Sequence, residues 1–396
     1  MPVIEQKTTN KNKVDFDLNR LDKSKTTIFS KYPYFLTRSS IYEDTGEFIG
    51  GLIHSYCPEL AEYIKRLLDE AEDPISLLFE PVSESSLQIF EKSRHEDLPA
   101  FKSQNEAVKW YLKGLNESGL CLMDNLKRHP NPLTQLRLFN FFCIFHLVRY
   151  MALLEAFYCG ENIRPVLLDF SGIAPSQSSV ARASEMAYTQ MHKSINRFYA
   201  WGYAQKLKEK DYSKEDLLQS ETPVYDEKKK ASVEFSTLWN LAKERASACA
   251  TDDAARLVFG ETMYDMLALE ASSHPVNCLK ILGTSAGMLY PPDQMHPNKR
   301  FVLSQDILEM ILRSTVSPDE VLSGNDMRNR LWERFGIIIG GSTYEIEKLQ
   351  SSGMLLQIDE DSLERNFTSF AALLESMDFA EVMADGILQI RLGGSD

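Results

Sequence analysis

The chain has 396 residues, of which 43% are hydrophobic and 25% charged, and its formal net charge of −14 gives a pI near 5.1. This composition indicates a globular protein of two or three domains, and it argues against a fibrous or disordered chain. An acidic chain repels phosphate backbones at long range, so general nucleic-acid binding is not expected without a local basic patch. Six scattered cysteines without a CxxC pair favour buried thiols in a reducing compartment over a disulfide framework.

The N-terminal third combines a polar segment with several short predicted elements. Residues 1–27 are polar and slightly basic, and they predict a flexible arm that lacks the apolar core of a signal peptide. Aromatic and β-branched residues with glycine turns over 31–51 predict short strands or an extended clamp against the core. A helix with one apolar face is expected from Pro58. Ser103-Gln-Asn-Glu106 matches a capping box at the start of a further helix, and a separate helix is predicted over 120–128.

The stretch 131–160 predicts one long helix around which the other elements pack. Asn131 is a favourable N-cap, Pro132 suits the first helical position, and Gly160 suits a left-handed C-terminal cap. At 1.5 Å per residue the helix would be about 42 Å long. Apolar residues occupy nearly every face between 138 and 157, so we expect this helix to be buried.

The same stretch is long enough to cross a bilayer, so a membrane span is the alternative to a buried helix. Arg149 lies at its centre, with His146 before it and Glu155 after it. A central arginine costs about 2.5–3.5 kcal/mol in a membrane helix, and no other segment offers a partner span. We therefore expect a helix enclosed by protein, and a cytoplasmic protein that makes no membrane contact.

The middle of the chain predicts more helices and one exposed segment. The apolar run 164–170 predicts an isolated buried strand or extended chain, and apolar residues at three- and four-residue steps predict a second long helix from 178 to about 210. Residues 206–230 are highly charged and predict an exposed linker or loop. Further helices are predicted at 232–248, 252–271 and 275–282.

Three prolines between 284 and 300 predict a boundary to a last module at 297–396. Its order of three short helices followed by strands, with one inserted helix, is that of a winged helix-turn-helix. These elements are predicted at 305–313, 323–336, 343–352, 354–358, 363–377 and 387–392. The predicted fold class is therefore mainly α, with a large helical domain at 28–284 around the long helix and a winged-helix-like α+β module at its C-terminal side.

The charge of this module bears on DNA binding. In a DNA-binding winged helix the third helix should carry cations, but here it holds one lysine against two glutamates. The whole module holds nine Lys and Arg against seventeen Asp and Glu, a net of −8. The preceding helix carries Arg328, Arg330 and Arg334, which are the candidates for DNA contacts. On balance the charge favours a protein-docking role over direct DNA binding.

A second candidate site follows the predicted strand at 164–170. Ser171, Gly172 and Ser178 are candidates for anion binding, because a glycine turn and hydroxyls before a helix can present free N–H groups to an anion. With Asp169 nearby, an enzyme with an unmarked site around Asp169 and Ser171 stays an alternative. The chain has no nucleotide-binding glycine motif, however, and a capped helix start with a structural aspartate explains the same residues.

Cys143 and His146 lie about one helical turn apart and could offer two metal ligands. A zinc site needs three or four ligands, and no second pair stands nearby in the sequence. A buried cysteine and a hydrogen-bonded core histidine explain the pair more simply. The sequence therefore predicts no metal site, no cofactor and no identifiable catalytic residue.

Two segments, RPVLLDFSGIAPSQSSVARASEMAY (164–188) and STVSPDEVLSGNDMRNRLWERFGIIIGG (314–341), resemble uncharacterised helical bacterial proteins encoded among anti-phage defence and DNA-modification genes. The resemblance implies a winged-helix tail and a partner such as an ATPase, helicase or nuclease encoded nearby, and it transfers no functional residue. The expected function is thus a non-catalytic subunit or adaptor of a multi-protein assembly that acts on DNA. The alternatives are a winged-helix DNA-binding regulator and the unmarked enzyme.

Overall fold

The computed structural model describes residues 3–4, 16–17, 41–69, 105–160, 163–222, 233–270, 275–294, 296–354, 358–384 and 386–392. Within these ranges the protein is mainly helical with a few small sheets, most of them in the C-terminal part, which confirms the predicted fold class. The predicted arm at 1–27 lies almost entirely outside the described residues.

The described residues include fourteen helices and nine short strands. The helices are α1 (Ile41–Tyr56), α2 (Pro58–Asp69), α3 (Glu106–Leu126), α4 (Pro132–Ala152), α5 (Leu154–Cys159), α6 (Ser179–Glu209), α7 (Lys214–Gln219), α8 (Val233–Ser247), α9 (Asp252–Glu270), α10 (Pro275–Ser285), α11 (Gln305–Arg313), α12 (Gly324–Phe335), α13 (Thr343–Ser351) and α14 (Glu360–Ser376). The strands are β1 (Val3–Ile4), β2 (Phe16–Asp17), β3 (Val166–Leu167), β4 (Leu289–Tyr290), β5 (Arg300–Phe301), β6 (Val321–Ser323), β7 (Ile337–Ile338), β8 (Ala380–Val382) and β9 (Leu388–Arg391).

The chain divides into two compact units, each built from separated stretches of sequence. Unit 1 comprises Met1–Phe48 and His192–Cys278, and unit 2 comprises Ile49–Met191 and Leu279–Asp396. The C-terminal residues therefore pack into the same unit as the long central stretch. Independent folding of the predicted domains at 28–284 and 297–396 stays a prediction.

Unit 1 is a bundle of helices in which α8 and α9 lie side by side. Trp239 of α8 packs edge-on against Phe259 of α9, with 4.8 Å between the ring centroids. Gly260 allows α9 to approach the C-terminal half of α6 closely. A Cβ atom at this glycine would lie 3.1 Å from the carbonyl carbon of Ala200 and closer still to its oxygen.

The prediction of an exposed linker or loop at 206–230 is wrong over 206–209, which belong to α6, and over the residues that form α7. This helix starts with a capping box between Ser213 and Asp216, and its Leu217 is fully buried against α8 and α9. The high charge of the stretch concealed three buried side chains, those of Leu207, Tyr212 and Leu217. The remainder of the predicted linker beyond residue 222 lies outside the described residues.

In unit 2, the central stretch 131–160 forms two helices rather than one. The predicted caps are confirmed, since the Asn131 side chain accepts hydrogen bonds from first-turn N–H groups and Gly160 adopts a φ of 74°. Leu153, with φ −100° and ψ 0°, separates α4 from α5. Residues 145–157 are buried except at one half-buried alanine, whereas the first half of α4 has an exposed face. No described helix combines the length and apolar content needed to span a membrane.

Two local predictions before this stretch are corrected. Residues 41–51, predicted as strands or an extended clamp, belong to helix α1, whose Ile49, Leu52 and Ile53 are buried at helical spacing. Residues 106–126 form one helix where two were predicted, with Asn105 as the N-cap. Gly114 lies within this helix, and its lack of a side chain allows the backbone of α12 to approach closely at this position.

The C-terminal residues join the rest of unit 2 through strand pairing. β7 pairs in parallel with β3, with Val166 opposite Ile337, so the segment predicted as an isolated strand or extended chain has a strand partner 171 residues further along the chain. A separate antiparallel sheet has the strand order β6-β9-β8. The structure adds β6 and β8 to the predicted elements, and the predicted strand at 354–358 lies mostly outside the described residues.

Candidate functional site

All three arginines proposed for DNA contacts form hydrogen bonds within the protein. Arg330 makes a two-pronged contact with Glu320, with Nη1–Oε2 at 2.8 Å and Nη2–Oε1 at 2.5 Å. This contact lowers the pKa of the Glu320 carboxyl and raises the pKa of Arg330. Arg330 and Arg334 both donate to the backbone oxygen of Thr315 at 3.1 Å. These guanidinium groups tie α12 to the end of α11, and their donors are directed inward.

Arg328 is also held against the protein. Its guanidinium lies over the ring of Phe367 at 4.1 Å from the centroid, hydrogen-bonds to Asn325, and comes within 3.8 Å of the buried Glu345 carboxylate. Only 10% of the Arg328 side chain is exposed. A phosphate contact would require this side chain to leave a desolvated position, so the structure gives no support to its predicted role in DNA binding.

All nine lysines and arginines of the segment 297–396 lie among the described residues, and each contacts a partner group within unit 2. Their partners are carboxylates, backbone oxygens or aromatic rings of the same unit. The nine are Lys299, Arg300, Arg313, Arg328, Arg330, Arg334, Lys348, Arg365 and Arg391. Among the arginines, only Arg365 and Arg391 keep more than half of the side chain exposed, at 73% and 66%, and each lies 3.8 Å from a carboxylate. The segment therefore presents a mainly acidic surface.

The β8–β9 turn carries an exposed apolar cluster, which we call the hairpin tip and define as Val382, Met383 and Ile387. These side chains are 39–50% exposed, and the turn is closed by a hydrogen bond from the Met383 N–H to the Ile387 oxygen at 2.9 Å. Glu375 at the end of α14 accepts a hydrogen bond from the Val382 N–H, and exposed Glu381 precedes the tip. Single exposed apolar residues are ordinary, but three at one turn with acidic neighbours form a candidate docking surface.

The predicted anion site is built from groups that already bond to one another. Asp169 is buried, and its Oδ1 accepts hydrogen bonds from the Ser171 N–H at 2.9 Å and hydroxyl at 2.6 Å. Its Oδ2 lies 2.9 Å from Nε of Arg300. The Ser178 hydroxyl caps α6 by accepting from the Ala181 N–H, and exposed Gly172 adopts a φ of 66°. Anion binding stays a prediction, and the contacts at Asp169 and Ser171 are accounted for by a structural role.

His146 lies in an aromatic core. Its ring centroid is 4.3 Å from that of Phe142, and its Nε2 lies 3.3 Å from the Ser118 hydroxyl. Burial, assisted by the Arg149 charge, lowers the pKa of His146 to about 3. Among the residues that the structure describes, no three His, Cys, Asp or Glu side chains come together in a way that could hold a metal ion.

Sequence reasoning missed a cavity of about 700 Å³ in unit 2. Its lining residues come from four separated parts of the chain and share no motif, so no local signal could have grouped them. They are Trp110, Ile163, Arg164, Trp332, Glu333, Tyr344, Lys348, Ser351 and Ser352. Three aromatic rings and two cations in one cavity are the residue types that bind planar anions.

Comparison of the chain with protein-family models, with curated proteins and with solved structures finds no match. Its function is therefore inferred from the geometry described above.

Proposed function

We propose that the chain is a non-catalytic subunit or adaptor of a multi-protein bacterial assembly that acts on DNA, of the kind encoded in anti-phage defence gene clusters. In this proposal it docks through its C-terminal segment onto a larger protein such as an ATPase, helicase or nuclease. The observation that carries the proposal is that the seven arginines of 297–396 pair with carboxylates of unit 2, beside an exposed apolar hairpin tip. Phosphate contacts need available cations, whereas an acidic surface with an apolar centre suits a protein partner with basic and apolar groups.

The order of elements supports a winged-helix-like interpretation of this segment. Helix α11, strand β6, helices α12 and α14, and the hairpin β8–β9 follow in sequence, with β9 between the other two strands and α13 as an insertion. In this interpretation the helix before the hairpin is α14, and not the helix at 343–352 to which the sequence pattern pointed. The exposed residues at the start of α14 are three carboxylates (Glu360, Asp361 and Glu364) and one cation (Arg365), and this acidic excess favours a basic protein partner over DNA phosphates.

Co-expression with the products of the flanking genes, followed by size-exclusion chromatography with light scattering, tests the docking proposal. We expect a stable complex with at least one of these proteins. The substitutions Met383→Glu and Ile387→Glu, which place charge in the apolar centre, should weaken that complex by tenfold or more. Leu133→Glu is the matched control, since Leu133 is 46% exposed at the start of α4 and a carboxylate is tolerated in a first helical turn.

Two results would overturn the proposal. One is a solitary monomer at micromolar concentration in the presence of every neighbouring gene product, or a complex that is equally strong with the hairpin-tip variants. The other is a salt-dependent shift of duplex DNA by the isolated chain, which would favour the alternative of a direct DNA-binding protein.

A further inference from the structure

The cavity in unit 2 has aromatic walls contributed by three helices. Trp110 comes from α3, Trp332 from α12 and Tyr344 from α13. The rings of Trp332 and Tyr344 meet edge to face, with 6.3 Å between centroids and an angle of 80° between planes. Lys348 places its ammonium nitrogen 5.2 Å from the Trp332 centroid and 5.0 Å from the Tyr344 centroid. A cation is thus already held against two of the rings that a planar ligand would contact.

The cavity lining brings two cations together in a chain whose net charge is −14. Arg164 and Lys348 provide two cations, and Glu333 provides a carboxylate. Arg164 is kept in place by the buried Glu155, whose Oε2 lies 3.4 Å from its Nη2. A phosphate that contacts both cations would gain charge-assisted hydrogen bonds in a chain whose net charge otherwise repels anions.

A buried guanidinium lies directly behind the cavity wall. Arg149 is only 4% exposed, and its Nε and Nη2 have no hydrogen-bond partner within the described residues. A Cβ atom placed on Gly336 would be 2.8 Å from Nη2 of Arg149 and 3.2 Å from the Trp110 ring, so the guanidinium lies close to that wall residue. Burial lowers the pKa of Arg149 to about 10, which leaves it charged at neutral pH. An unbalanced buried charge is costly, and an anion in the cavity would offset it.

We propose that this cavity binds a nucleotide, with the base against the aromatic walls and the phosphate at Arg164 and Lys348. A volume of about 700 Å³ falls within the range typical of small-molecule sites, about 300–1,000 Å³. Aromatic side chains stack on any base, and Arg and Lys bind phosphate oxygens through charge-assisted hydrogen bonds. Glu333 at the rim supplies an acceptor for sugar hydroxyls. The ligand is either a free nucleotide or one nucleotide unit of a single strand.

Binding is measured by isothermal titration calorimetry and by tryptophan fluorescence, since two of the four tryptophans line the cavity. The full chain is titrated with the four nucleoside monophosphates and with short single-stranded oligonucleotides. We expect quenching and saturable binding of at least one monophosphate or oligonucleotide. Tighter binding of the monophosphate identifies a free nucleotide as the ligand, and tighter binding of the oligonucleotide identifies a strand. Inorganic phosphate and the unphosphorylated nucleoside should each bind at least tenfold more weakly.

Two variants and a control place the binding in the cavity. Lys348→Gln removes a phosphate contact and Tyr344→Ala removes an accessible ring, and each should weaken binding by about tenfold or more. Lys113→Gln, on the exposed face of α3 outside the cavity lining, is the matched control and should bind as the original chain does. Thermal unfolding of each variant verifies that the fold is retained.

The proposal is overturned if no nucleotide or oligonucleotide binds at millimolar concentration, or if inorganic phosphate or the nucleoside alone binds equally well. Binding that persists unchanged in both cavity variants would also overturn it. This inference goes beyond the docking proposal and does not depend on it, because the cavity variants leave the hairpin tip intact and the tip variants leave the cavity intact.

Discussion

Asn366 offers a direct test of how the C-terminal residues are joined to the rest of unit 2. It is 1% exposed, and its side-chain amide donates to the backbone oxygens of Leu168 at 2.8 Å and Ile339 at 2.6 Å. Its carbonyl oxygen accepts from the Phe170 N–H at 2.8 Å. One side chain of α14 thus satisfies three main-chain groups that follow β3 and β7, whose pairing unites distant parts of the sequence.

Asn366→Ala should destabilise unit 2 by about 4 kcal/mol. Each of the three hydrogen bonds contributes about 1 kcal/mol net, and a buried main-chain group left without a partner costs about 1–3 kcal/mol, with incomplete additivity. Structural relaxation and entry of water into the space left by the side chain reduce the destabilisation below the sum of these terms. Asn366→Asp keeps the acceptor for Phe170 but places a carboxylate against two carbonyl oxygens. Its folded-state pKa should therefore be raised, and the variant should be less impaired at pH 4 than at pH 7.

Urea denaturation followed by far-UV circular dichroism and tryptophan fluorescence measures these changes. Asn329→Ala is the matched control, because Asn329 is exposed on α12 and its replacement should change the free energy of unfolding by less than about 0.5 kcal/mol. Equal stability of the Asn366→Ala and Asn329→Ala variants would show that the three hydrogen bonds do not hold these strands together. The contact of α14 with the main chain that follows β3 and β7 would then be wrong.

Two further substitutions test packing and protonation in unit 2. Gly114→Ala should lower the free energy of unfolding by about 1–2 kcal/mol, because its Cβ would collide with the backbone of Arg334 and overpacking outweighs a helix-propensity gain of about 1 kcal/mol. Exposed Lys113→Ala is its control, and a Gly114→Ala variant more stable than this control would contradict the close helix approach. His146 has a folded-state pKa of about 3 against 6.5 unfolded, so its contribution to stability is present above pH 6.5 and is lost as pH falls toward 3. Between pH 7 and pH 5 this loss is about 2 kcal/mol in the free energy of unfolding. Urea denaturation at the two pH values should show the loss in the original chain but not in the His146→Gln variant. If both proteins lose the same stability between pH 7 and pH 5, the lowered pKa of His146 is refuted.

Local signals in the sequence determined where most helices begin and end. Asn131 caps α4 as predicted, and Ser304 and Ser323 cap the helices predicted at 305–313 and 323–336, because an N-cap hydrogen bond reaches only two or three residues along the chain. Gly336 and Gly160 end their helices in the left-handed conformation for the same local reason. The mainly α fold class follows from the spacing of apolar residues, which is also a local property.

The sites depended on contacts that no short stretch of sequence contains. The three arginines of α12 were predicted as candidates for phosphate contacts, but carboxylates from other parts of the chain pair with their guanidinium groups. Residues 106–126 were predicted as two helices, yet they form one, and its Gly114 is the point where α12 approaches α3. The aromatic cavity draws its lining from positions more than two hundred residues apart. The sequence by itself determined the helices, whereas the pairing of β3 with β7, the engaged cations and the cavity were decided by tertiary packing, because their energies arise between residues distant in the chain.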